Sequence, residues 1–141
     1  MTTTAPDPHT SALFDYLDGE DLLVHVDPEP RNRQLFCHYL AKSYEGTEYD
    51  VLRLSSARDV TPAELAGYRA QILSKPKTVL VIDDPTAIIR RIPRAVGMIL
   101  RLIDTASQVE GSRVIIAARD GYDAISRTAI ELGAGVDEVQ R

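Results

Sequence analysis

Short, mostly apolar stretches alternate along this chain with segments whose apolar residues recur every three or four positions. Leu22 to Val26, Tyr49 to Leu54, Val79 to Ile82 and Arg113 to Ala118 are the apolar stretches, and each reads as a strand. Val136 to Val139 supplies a fifth. Runs apolar at successive positions, rich in Val and Ile, suit a parallel sheet covered on both faces. Between them, Arg31 to Ser43 reads as a helix with a stripe of Leu35, Phe36, Tyr39 and Leu40. Thr61-Pro62-Ala63-Glu64 is a capping box with proline at the first helical position. The helix it opens carries Leu65, Tyr68 and Ile72 and stops near Lys75-Pro76. A helix from about Pro93 to Ser107 places Val96, Ile99, Leu100 and Ile103 on one face. The last runs from Tyr122 to Leu132, with Ile125, Ala129 and Leu132 inward and Gly133 as its stop. Ahead of the first strand, Ser11 to Leu17 has Leu13, Phe14 and Leu17 at helical spacing, then Asp18-Gly19. Residues 1–10 read as a polar leader. The alternation predicts an α/β three-layer sandwich: one domain over 11–141 with a mostly parallel, doubly wound five-stranded sheet.

Composition narrows the function classes. The 141 residues are 44% hydrophobic and 26% charged, as expected of a globular domain. A net charge of −5 argues against a surface that coats nucleic acid. Cys37 is the single cysteine, which removes intramolecular disulfides and Cys-based zinc sites. No apolar run approaches a membrane span and the start of the chain lacks a secretion signal, so a cytoplasmic protein is expected.

The chemistry concentrates where Val79 to Ile82 runs into Asp83-Asp84-Pro85. Acids beyond the carboxyl end of a parallel strand face the usual ligand crevice, and Pro85 is expected to bar a helix there. The pair looks like a Walker B motif, in which one acid orients magnesium and the next activates water. With Asp27 it makes a candidate magnesium set of Asp27, Asp83 and Asp84. The loop after the first strand, Asp27-Pro28-Glu29-Pro30-Arg31-Asn32-Arg33-Gln34, stands where a nucleotide-binding protein has its glycine-rich phosphate loop. It has no glycine, its two prolines lack donors, and its acids repel a triphosphate. No cofactor is therefore expected.

Other features point outward. Ile88, Ile89 and Ile92 form an apolar candidate contact beside Arg90, Arg91 and Arg94, which makes Ile88, Ile89, Arg90, Arg91 and Arg94 the candidate partner-binding set. Arg101 lies seven residues after Arg94, on the same helical face, and extends the basic cluster toward a nucleic-acid or acidic-protein contact; with no aromatics interleaved, protein is the expected partner. His25 and His38 have no neighbouring ligand at metal spacing, and Cys37 reads as a small core residue. Ser11, Ser55 and Ser56 lack a nucleophile motif.

Two families resemble these strings. Val26-Asp27-Pro28-Glu29-Pro30-Arg31-Asn32-Arg33, Val81-Ile82-Asp83, Ala117-Ala118-Arg119-Asp120 and Glu131-Leu132-Gly133-Ala134 resemble the acidic turn, phospho-acceptor strand and closing segments of response-regulator receivers. That resemblance implies Asp27 as a magnesium ligand, Asp83 as phospho-acceptor and strand order 2-1-3-4-5. Pro28, Ala117 and Gln140 stand where a receiver has its second acid, switch hydroxyl and lysine, which implies a pseudo-receiver that is not phosphorylated. The second resemblance is to the P-loop-derived, AAA+-like domain of the clamp-loader delta subunit, which lacks a working phosphate loop. Leu23 to Asp27 with Glu29-Pro30, Asp59 to Leu65, Ser112 to Ala117 and Leu132 to Val139 carry it. It implies a replication-associated protein partner, no catalysis, and an acidic third strand beside the first. The expected function is a non-catalytic protein-interaction module, with a pseudo-receiver and a magnesium-dependent phospho-acceptor or NTPase as alternatives.

Overall fold

The computed structural model describes residues 21–57, 59–75 and 77–138. The expected leader over 1–10, the Ser11 to Leu17 helix, and residues Val139 and Gln140 lie outside the described residues. Five strands form one sheet: β1 (Leu22–Val26), β2 (Asp50–Leu54), β3 (Thr78–Asp83), β4 (Arg113–Ala118) and β5 (Gly135–Glu138). Their order is β2-β3-β4-β1-β5, and each neighbouring pair is parallel. The α-helices are α1 (Pro30–Ser43), α2 (Pro62–Ser74), α3 (Pro85–Arg91), α4 (Val96–Gln108) and α5 (Ala124–Glu131), with one 3₁₀ turn at Pro93–Ala95.

The apolar runs mark the interior of the sheet. Every residue of β1 and β4 is buried, as are the first five of β3, whereas the edge strands β2 and β5 are partly exposed. Alternate side chains enter two cores. On one face Val24, Leu80, Ile82, Val114 and Ile116 meet α2 to α5 through Leu65, Ile72, Ile88, Ile99 and Ile125. On the other, Leu23, Val79, Val81, Ile115 and Ala117 meet α1 through Cys37 and Leu40. Each fully buried Leu or Ile contributes roughly 1.5–3 kcal/mol, so these two layers hold the sandwich together. The connection leaving β1 thus crosses one face of the sheet and those leaving β2, β3 and β4 cross the other. Such a reversal opens a crevice at the carboxyl ends of β1 and β4.

Local signals worked where capping chemistry was explicit. Thr61 caps α2, its hydroxyl accepting the Glu64 N–H at 3.1 Å, with Pro62 in the first turn. Gly133 closes the chain after α5 at φ 103°, a conformation open to glycine.

Several expectations are corrected. Pro85 does not bar a helix; it opens α3, because the first helical position needs no N–H and suits proline's fixed φ. The long helix expected from Pro93 is a 3₁₀ turn followed by α4, whose buried residues are Ile99, Leu102, Ile103 and Ala106; Val96 and Leu100 are half-exposed. Tyr122 and Leu132 flank α5 and are exposed, since Asp123 caps that helix through the Ser126 N–H. The α1 stripe is turned: Arg33, Cys37, Leu40 and Ser43 face inward while Leu35 is exposed. The buried, hydrogen-bonded Arg33 fixes that rotation. Finally, β4 lies between β1 and β3, so the acidic third strand is not beside the first.

Candidate functional site

The crevice is assembled around the end of β4. The backbone N–H of Asp27, just past β1, donates to the Ala118 carbonyl at 2.9 Å. That of Asp84, just past β3, donates to the Ala117 carbonyl at 2.9 Å. The sequence-expected acids therefore flank β4 on opposite sides. Directly after Ala118, Arg119 reaches Asp84 as a two-pronged fork, with Nε 2.8 Å from Oδ1 and Nη2 2.9 Å from Oδ2.

Asp84 carries a second duty. It is the described non-glycine residue with positive φ (53°), and from that left-handed conformation its carboxylate caps α3 through the Ala87 N–H at 3.4 Å. Asp and Asn tolerate this region better than other side chains, though at a cost of order 1–2 kcal/mol. Burial alone would raise its carboxyl pKa. The Arg119 hydrogen bonds, the Ala87 N–H and the Arg33 charge outweigh it and hold the group below the usual carboxylate range.

Arg33 closes the site from beneath. It is 4% exposed, donates Nη1 to the Asp27 carbonyl at 2.8 Å, and sets Nη2 3.6 Å from Asp84 Oδ2. Its Nε is buried without a hydrogen-bond partner. Next to it, Asp83 lies near the buried Cys37 thiol. Burial, then repulsion by Asp84, raise Asp83, offset in part by Arg33 and Arg53. Burial, then the Asp83 charge, push the thiol up to about 12, so Cys37 is an inert core residue and no thiolate nucleophile.

The loop where a phosphate cradle would stand is turned on itself. Pro28 and Pro30 carry no N–H, the Glu29 N–H donates to Asp27 Oδ1 at 3.0 Å, and the Arg31 N–H donates to Glu29 Oε1 at 3.4 Å. Backbone donors that bind anions elsewhere are here occupied by the protein's own carboxylates. What remains open is a polar cavity of about 160 Å³ lined by Arg33, Gln34, Ser55, Ser56, Asp83 and Asp84, among others. No group of three or more His, Cys, Asp and Glu side chains able to hold a metal ion occurs among the described residues. Asp27, Asp83 and Asp84 share a rim but do not converge as such a group.

The expected partner-binding residues are scattered. Ile88 is fully buried beneath α3 and cannot contact a partner; the amphipathic turn after Pro85 aims it at the sheet. Ile89 and Ile92 are half-buried against the same core. Arg91 is tied to Asp59 at 3.1 Å and to the Ser56 carbonyl. Arg90, Arg94 and Arg101 are exposed. His25, which has no metal-ligand partner at sequence spacing, pairs through Nδ1 with the distant Asp137 at 2.8 Å and stacks on Phe36 with ring centroids 3.8 Å apart. Arg33 and Arg119 are the residues that the site needs and that spacing did not single out. Once β4 is known to lie beside β3, a basic residue directly after β4 is the signal that finds Arg119.

No family model and no curated protein matches this chain. Among solved structures, it is similar to a chain in the crystal structure of Rif2 in complex with the C-terminal domain of Rap1, at 9% identity and a TM-score of 0.54. The match covers 94% of this chain and 51% of that one, so the chain spans about half the length of that relative. At this identity the likeness is one of fold. No helix among the described residues is long and apolar enough to cross a membrane.

Proposed function

We propose that this domain is a non-catalytic protein-interaction module built on a degenerate AAA+-like scaffold of the clamp-loader delta kind. One observation carries the reading: the groups an active crevice would offer to magnesium and phosphate are engaged with one another. Asp84 holds Arg119 and caps α3, and the loop donors at Glu29 and Arg31 are taken by Asp27 and Glu29. Arg33 and Arg119 supply the positive charge that a metal ion would bring to acids in this position. The fold shared with a component of the Rif2–Rap1 complex is consistent with an interaction role.

The receiver alternative sits less well with the sheet. A 2-1-3-4-5 order needs β1 between β2 and β3, whereas β1 lies between β4 and β5. The P-loop-derived reading also expected β1 beside β3, but it departs only by the insertion of β4, with the acids still facing one crevice. Incubation with a small phosphodonor and magnesium, followed by intact mass, tests the absence of catalysis. The mass is expected to stay unchanged. A phosphoryl adduct abolished by Asp83→Ala would overturn the proposal.

A further inference from the structure

The face opposite α1 carries a second concavity that the crevice does not use. α2 and α4 lie side by side and leave a groove of about 460 Å³ between them. Its floor is apolar, formed by Leu65 and Ala66 from α2 and by Met98 and Leu102 from α4. Arg69 stands on one bank and Arg101 on the other. Both are exposed, and neither guanidinium makes an ion pair or hydrogen bond with another described residue. Asp104 is the acid among the lining residues. In a chain with a net charge of −5, this is a local reversal of sign.

We infer that the α2/α4 groove docks an acidic amphipathic helix of another protein, with apolar side chains over Ala66 and Met98 and carboxylates against Arg69 and Arg101. The inference rests on the interaction-module reading and gives it a surface. Helices bind grooves through apolar anchors at three- and four-residue spacing, and charges of opposite sign along the banks fix orientation. Met98 suits the role because its unbranched side chain adapts to a seated partner. Nucleic acid fits worse, because no aromatic side chain lines the groove for bases to stack on.

The test places a photo-crosslinking residue at Ala66 in the full chain, expressed in its native host, with Gln34 on α1 as the control position. Adducts at Ala66 are expected to map by mass spectrometry to a helical segment rich in Asp and Glu. Arg69→Glu with Arg101→Glu should cut their yield at least about tenfold, and exchanging the captured segment's acids for lysine should restore it. Adducts that ignore the charge reversal, or that contain nucleic acid, would overturn the groove assignment. Adducts at Gln34 without any at Ala66 would also overturn it while leaving an interaction module in place. Adducts at neither position would count against both.

Discussion

The crevice at the carboxyl ends of the strands and the groove between α2 and α4 are both rich in arginine, but they treat their charges oppositely. In the crevice, Arg33 and Arg119 converge on Asp84, and Arg91 is tied to Asp59. In the groove, Arg69 and Arg101 face solvent with no partner among the described residues. The first arrangement stabilises the fold and leaves little for a ligand. The second contributes little to the fold and leaves its donors available. Position in a parallel α/β sheet says where a ligand site is expected, but pairing decides whether it is still open.

Breaking the paired region should have the largest effect. Asp84→Ala takes from the buried Arg33 and from Arg119 the carboxylate they share and removes the α3 cap, so a loss of about 3 kcal/mol is expected by chemical denaturation. Asp84→Asn keeps the cap and the tolerance for positive φ and should lose distinctly less. Equal losses in the two variants would show that the cap and the φ tolerance contribute nothing and that the lost charge accounts for the whole effect.

Acid should erase part of the difference. Asp84 is depressed in the folded state, so its stabilisation is present above its unfolded value near 4 and is lost as pH falls through its lower folded value. Asp83 is raised, so its favourable contribution lies below that unfolded value and is lost as pH rises through the folded one. Arg119→Met should therefore cost about 1 kcal/mol near pH 7, the fork being partly exposed, and progressively less as pH falls through the folded value of Asp84. A cost independent of pH would contradict the ion-pair account.

Smaller effects sharpen the other side. Gly67 and Gly97 lie inside α2 and α4 with open space where a Cβ would stand. Either one changed to alanine should raise stability by about 0.5–1 kcal/mol, read as a higher melting temperature. Smallest of all, Arg69→Glu and Arg101→Glu should each alter stability by no more than about 0.5 kcal/mol, because neither is held by the fold. A larger loss would mean that the groove charges are structural after all.

The strands were the most legible part of the sequence, because burial on both faces leaves mostly apolar stretches at Val79 to Ile82 and Arg113 to Ala118. The α2 start was equally clear from Thr61 and Pro62. The α1 face was misread since its inward residues include Arg33, a polar group that hydrophobic periodicity cannot count. Pro85 misled for a related reason: proline ends a helix from within but opens one from its first turn, and the residue type alone does not distinguish the two. The acids were found and their partners were not. Asp84 and Arg119 lie 35 residues apart and meet only through the pairing of β3 with β4.

The claim that the crevice is closed by its own charges is tested most directly by thermal unfolding with and without millimolar magnesium–ATP. The account predicts one melting temperature in both conditions. A concentration-dependent rise that Asp84→Asn removes would show a ligand bound in the crevice and would contradict it.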